Sequence, residues 1–173
     1  MSHKYAQIER ERRWLLAAPP DTLQNSHDYQ RIEDRYITGT PLRLRHMTDA
    51  TGQVTARKLT QKYQAADQTA YATTITNFYL DEASYVLLET LPAQILVKKQ
   101  YTLVDGRFQF SIDQFSGPLN GLVLAEIEQP DMDSLMQIPQ PAFALREVTE
   151  NPRFTGGALV QLTAEQCQQL LTV

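Results

Sequence analysis

This chain has little of what many enzymes depend on. Cysteine occurs once, at Cys167, so neither an intramolecular disulfide nor a cysteine-cluster metal site can form. Its three histidines, His3, His27 and His46, lie in unrelated settings, which removes a histidine metal centre. There is no Gly-rich phosphate loop of the P-loop or dinucleotide kind, and no arrangement that supports a nucleophilic triad. No apolar run approaches the ~20 residues of a membrane-spanning helix, and the opening Met1-Ser2-His3-Lys4-Tyr5 lacks the apolar core of a signal peptide. Basic residues do not dominate: 16 Lys and Arg face 20 Asp and Glu, a net charge of −4. Bulk electrostatics therefore gives no route to nucleic acid. The expectation is a cytoplasmic protein, a monomer or homodimer with no membrane partner, folded as one domain over residues 1–173.

What is present is alternation. Glu9, Glu11, Arg13 and Leu15 share one face of a first strand; Ile8, Arg10, Arg12, Trp14 and Leu16 share the other. Residues 29–36 alternate loosely, with Ile32 and Tyr36 apolar. After the turn signal Gly39-Thr40-Pro41, residues 42–47 put Arg43 and Arg45 opposite Leu42, Leu44 and His46. That places His46 on an apolar face, where packing explains it better than chemistry. Residues 54–63 return with Lys58, Thr60 and Lys62 on one face, and 71–79 are rich in strand formers. Asp81 reads as an N-cap for a helix with an apolar stripe of Val86, Leu87 and Leu91, stopped by Pro92. Residues 93–103 align Leu96, Lys98 and Gln100. Asp105-Gly106 turns the chain into a strand aligning Arg107, Gln109, Ser111 and Asp113. Residues 122–128 repeat the opening pattern, with Glu126 and Glu128 beside Leu122 and Leu124. Pro20-Asp21 suggests a helical turn toward Asn25, 65–69 a polar turn, Ser134 one helical turn, and 146–149 a short edge strand. Thr163 and Gln166 have capping-box spacing ahead of a helix ending at Leu171, with Leu162 and Cys167 as its hydrophobic staple.

Each candidate strand thus has one apolar and one charged face. A largely antiparallel sheet could turn its charges to solvent, or roll into a barrel with the charges inside and the apolar faces packed by helices. Periodicity alone does not choose. Chemistry favours the barrel if the lumen holds a polyphosphate: Lys and Arg neutralise phosphate, and the pairs Glu9/Glu11 and Glu126/Glu128 suit a hard cation, Mg²⁺ or Mn²⁺.

The chain resembles the CYTH domains, or triphosphate tunnel metalloenzymes. Glu9-Arg10-Glu11-Arg12-Arg13 is similar to their ExExK signature. The resemblance continues through Arg43-Leu44-Arg45, Thr60-Gln61-Lys62, Lys98, Ile112-Asp113-Gln114-Phe115-Ser116-Gly117, Leu124-Ala125-Glu126-Ile127-Glu128, Glu147-Val148-Thr149 and Asn151-Pro152-Arg153-Phe154. It implies an α+β fold, a closed eight-stranded antiparallel β-barrel with helices outside. It implies metal-dependent hydrolysis of a triphosphate, inorganic triphosphate being the simplest. Adenylyl cyclase or thiamine triphosphatase activity on the same scaffold, or a non-catalytic polyphosphate- or nucleotide-binding module, are the alternatives. By matching positions, Glu9, Glu11, Glu126 and Glu128 would bind metal and one of them would activate water; Asp113 is a further metal candidate. Arg13, Arg43, Arg45, Lys62 and Lys98 would bind phosphate, with Lys58, Arg107, Arg146 and Arg153 as further cationic candidates. Three positions depart from the family: Arg13 replaces the signature's lysine, Thr73-Thr74-Ile75-Thr76-Asn77 lacks the usual acidic pair, and Lys98-Lys99-Gln100 lacks the usual second cation.

Overall fold

The computed structural model describes residues 5–23, 26–64 and 69–172. The readings at His3, at Asn25 and over most of 65–69 fall outside them. The strands are β1 (Gln7–Leu16), β2 (Gln30–Ile37), β3 (Leu42–Thr48), β4 (Val54–Tyr63), β5 (Ala72–Tyr79), β6 (Ala93–Asp105), β7 (Phe108–Phe115), β8 (Val123–Glu128) and the two-residue β9 (Arg146–Glu147). The helices are α1 (Glu82–Leu88), α2 (Met132–Met136), α3 (Gly156–Leu159) and α4 (Ala164–Leu171).

The strand order is β5-β4-β3-β2-β6-β7-β8-β1, and β1 also pairs with β5, so eight strands close into a barrel. Every pairing is antiparallel. β1 makes the closure possible by dividing one of its edges. Its first part, from Gln7 to Arg10, pairs with β5; farther along the same strand, Trp14 and Leu15 pair with β9. Its opposite edge carries β8. At the β6–β7 hairpin Gly106 takes φ +59°, a conformation the turn requires and glycine adopts readily.

Alternation then sorts the side chains. Outside β1, β6, β7 and β8, a core of Trp14, Tyr101, Phe110, Ile112 and Ala125 packs under Leu135 of α2 and Ile138. Trp14 meets Phe110 edge to face at 5.9 Å. A second core is built from inward-facing Leu15, Leu96, Phe115 and Leu124 together with Phe154, Leu159 of α3, and Cys167 and Leu170 of α4. It forms an apolar floor across one end of the barrel. Cys167 is a buried, small apolar member of that floor.

α4 has the expected capping box: Gln166 N donates to Thr163 Oγ1 at 3.2 Å, and Thr163 N donates to Gln166 Oε1 at 2.9 Å. α1 has its Asp81 cap, accepting from Ser84 N at 2.7 Å, but not its expected stripe. Val86, Leu87 and Leu91 remain largely in solvent, and Tyr85 is the buried residue. A seven-residue helix lays one position squarely on the sheet, and Tyr85 takes it against His46, their ring centroids 5.2 Å apart. His46 is accordingly a packing residue. Among the described residues no helix is long and apolar enough to cross a membrane.

Candidate active site

The barrel is rolled with its charged faces inward. One cavity of about 1060 Å³ occupies the lumen, lined by Glu9, Glu11, Arg13, Arg43, Arg45, Lys62, Lys98, Arg107, Glu126 and Glu128. The register explains the grouping. Glu11 lies opposite Glu128 and Arg13 opposite Glu126, so β1 and β8 merge their charges into one acidic wall with an arginine in it.

Arg13 is the hub of that wall. Its Nε donates to Glu126 Oε1 at 2.6 Å, Nη2 to Glu11 Oε1 at 2.5 Å, and Nη1 to the Phe154 carbonyl at 3.0 Å. Its backbone N donates to Thr149 Oγ1 at 2.9 Å. Lys62, reaching across from β4, donates to Glu9 Oε2. Burial alone would raise the Glu126 carboxyl, but Arg13 first and Lys98 next outweigh it and hold it down to about 2. Glu11 is pushed up, first by burial and then by Glu126. Glu128 is pushed up by burial and by Glu9 and Glu11, and it makes no hydrogen bond or ion pair among the described residues. The wall therefore holds more negative charge than its cations balance.

The opposite wall is built from β2, β3, β6 and β7. Arg45 grips Asp34 with both prongs, Nε to Oδ1 and Nη2 to Oδ2, each at 2.7 Å. Arg43 Nε stands 3.6 Å from the same Oδ1 and has no hydrogen-bond partner. Burial opposes ionisation of Asp34, yet Arg43 and Arg45 pull its carboxyl far below the ordinary range. Lys98 donates to Asp113, which also accepts from Gln100 Nε2 at 2.9 Å. Burial disfavours the Lys98 charge, but Asp113 outweighs it and keeps the ammonium protonated.

Not every sequence candidate lines the cavity. Asp113 is fully buried behind it, engaged by Lys98 and Gln100. Lys58 is directed inward by register opposite Tyr79, but its Nζ lies 5.0 Å from the Tyr79 ring and outside the lining. Arg146 sits on β9 opposite Leu15, and Arg153 is exposed on the turn Pro152–Phe154; neither borders the cavity, although Pro152 and Phe154 do. Arg107 does border it, with its guanidinium 5.0 Å from the Phe108 ring. Sequence reasoning missed Asp34, Tyr36, Thr149 and the Phe154 carbonyl. Asp34 had a signal: it shares the parity of Ile32 and Tyr36 in β2. On β5, Asn77 accepts a hydrogen bond from Thr60 at 2.6 Å, so a neutral pair occupies a wall where the family resemblance leads one to expect acids.

Glu9, Glu11, Glu126 and Glu128 are hard oxygen donors, and their surplus negative charge fits a divalent cation such as Mg²⁺ or Mn²⁺. Among the described residues, however, no three of them form a ready-made metal cluster. Arg13 and Lys62 bind three of the four carboxylates instead.

The closed antiparallel eight-stranded barrel with helices outside is the fold that the resemblance implies. The chain carries this CYTH-like fold. Crystal structures of NE1496, one of them named as an inorganic triphosphatase, align with TM-scores of 0.59 and 0.56 at 23% and 22% identity. The alignments cover 90% and 89% of this chain and 99% and 95% of those chains. A Bacillus halodurans structure named as an adenylate cyclase candidate aligns with a TM-score of 0.52 at 15% identity, over 76% of this chain and 86% of that one. In sequence, 80 residues are 34% identical to an inorganic triphosphatase of Acetivibrio thermocellus, covering 46% of this chain. The match spans half the length of that relative. No family model matches the chain.

Proposed function

We propose that the tunnel binds a linear triphosphate and hydrolyses one of its phosphoanhydride bonds, with inorganic triphosphate as the simplest substrate. The observation that supports this most directly is the convergence of Arg13, Arg43, Lys62, Lys98 and Arg107 on one cavity bordered by an acidic wall. The inorganic triphosphatases similar to this chain support the same reaction class.

Phosphate oxygens entering the lumen meet two guanidinium groups, Arg43 and Arg107, that make no hydrogen bond to a carboxylate among the described residues. Lys62 and Lys98 add charge from β4 and β6. Positioning and charge neutralisation carry most of phosphoryl transfer. Glu9, Glu11, Glu126 and Glu128 would hold Mg²⁺ or Mn²⁺, which when bound supplies Lewis-acid polarisation of phosphoryl oxygens. Glu9, Glu11 and Glu126 are tied to Lys62 and Arg13, so Glu128, which has no ion pair among the described residues, is the carboxylate placed to accept the proton of the attacking water. The water oxygen bonds to phosphorus as the bridging P–O bond breaks, and the leaving phosphate oxygen keeps that electron pair.

The test is phosphate release from inorganic triphosphate, ATP and thiamine triphosphate, each with Mg²⁺, Mn²⁺ or EDTA. Release from inorganic triphosphate with either metal and none in EDTA is expected, and release unaffected by EDTA would remove the metal from the reaction. Glu126→Gln should abolish release while circular dichroism stays unchanged; full activity would sink the role given to that wall. One observation favours a second reading, a tunnel that binds without turnover: the Thr60–Asn77 pair leaves the β4–β5 wall without acids. Tight triphosphate binding with no release under any metal would establish it.

A further inference from the structure

The two arginines of β3 are held differently. Asp34 is 1% exposed, and both of its oxygens are taken by the fork of Arg45. A carboxylate and a phosphate offer a guanidinium the same two-oxygen face. For a phosphate to take that face of Arg45, two charge-assisted bonds of 2.7 Å must break and Asp34 must remain buried without them. Arg43 has no such commitment. It approaches Asp34 only at 3.6 Å, its Nε is buried without a hydrogen-bond partner, and it borders the cavity. One carboxylate between two guanidinium groups leaves the pair one net positive charge. The wall beside it is also fixed: Tyr36 lies opposite Arg43, and Gly156 packs so close that a Cβ there would stand 2.0 Å from the Tyr36 hydroxyl.

We propose that Asp34 is a resident anion of the tunnel, a positioning and specificity residue. It occupies the face of Arg45 that a phosphate would otherwise take, leaves Arg43 as the open guanidinium of the pair, and so limits how many phosphate groups this end of the lumen accepts. The proposal rests on the triphosphate reading and deepens it. Arg45 becomes the partner that holds Asp34 in place.

The experiment is calorimetric titration of the full chain in EDTA with pyrophosphate, triphosphate and tetraphosphate. In the wild type, tetraphosphate should bind within about threefold of triphosphate. In Asp34→Asn the released Arg45 fork can take another phosphate, and the preference for tetraphosphate over triphosphate should rise at least about tenfold. A merely structural Asp34 would leave that preference unmoved while stability fell, and an unmoved preference in folded Asp34→Asn overturns the proposal. The double variant Asp34→Asn/Arg45→Gln removes both charges together and avoids a buried unpaired one. It should bring triphosphate affinity back to within about threefold of wild type. A loss of about tenfold or more in the double variant would make Arg45 a direct phosphate ligand, and would overturn the proposal even if the single variant does not fold. No triphosphate binding by the wild type would overturn the triphosphate reading and this inference with it.

Discussion

Arg12 and Arg13 are neighbours on β1 with opposite surroundings, because a strand turns successive side chains to opposite faces. Arg13 enters the lumen and joins Glu11 to Glu126. Arg12 goes outward and is covered there: Nε and Nη2 grip Glu147 at 2.9 and 2.6 Å, and Nη1 donates to the Ile138 carbonyl at 2.6 Å. Its guanidinium also lies 4.8 Å from the Trp14 ring. Arg43→Ala should therefore weaken triphosphate binding by about tenfold or more, the value of one charge-assisted contact. Arg12→Ala should leave affinity within about threefold and lower stability instead. Calorimetry and denaturant unfolding separate the two; equal losses of affinity would mean the facing is wrong. Glu147 adds a pH signature. The Arg12 hydrogen bond, against some burial, lowers its carboxyl from the ordinary 4.5. A depressed folded pKa contributes stability that is full above the unfolded value and is lost as pH falls through the folded one. The stability gap between wild type and Glu147→Gln should thus be widest near neutral pH and shrink below 4.5; a gap constant with pH would refute the linkage.

At the scale of elements, local chemistry made much of the chain legible. The alternation of residues 54–63 coincides with β4, and Asp105-Gly106 is a hairpin turn because glycine supplies the required positive φ. The capping box marks the start of α4 before any contact is known. α1 was legible in position and not in facing, since seven residues carry too little periodicity to distinguish Tyr85 from Val86 as the buried one. Asp34 escaped notice because β2 mixes Ile32, Asp34 and Tyr36 on one face, and the fork that gives Asp34 meaning comes from β3. The apolar floor was hidden for the same reason: Leu15, Phe115 and Leu124 belong to strands, and what covers them arrives from α3 and α4. Leu170 anchors that floor while 1% exposed. Leu170→Ala should cost about 2–5 kcal/mol in equilibrium unfolding, and a change below about 0.5 kcal/mol would show that α4 does not pack as described.

For the whole molecule, barrel closure is the feature least visible in sequence. Six of the eight junctions in the ring, including β2–β6 and β8–β1, are joined through longer ladders than β1–β5, which has four register pairs from Gln7↔Ile75 to Arg10↔Ala72.

β8–β7 also has four register pairs, but it is flanked by tightly packed core on its outer face, whereas Ile8 beside the β1–β5 junction is 49% exposed. The barrel thus has a zip line, fastened across its inner side by Glu9 and Lys62. Amide protons of residues 7–10 and 72–75 should exchange with solvent faster than those of β6 and β7. An anion bridging Lys62 of β4 and Arg13 of β1 would lace the two sides together, and the same amides should then slow. A tunnel of this build would loosen along one line when empty and tighten along it when filled, so occupancy could be read from a handful of backbone protons far from any phosphorus atom.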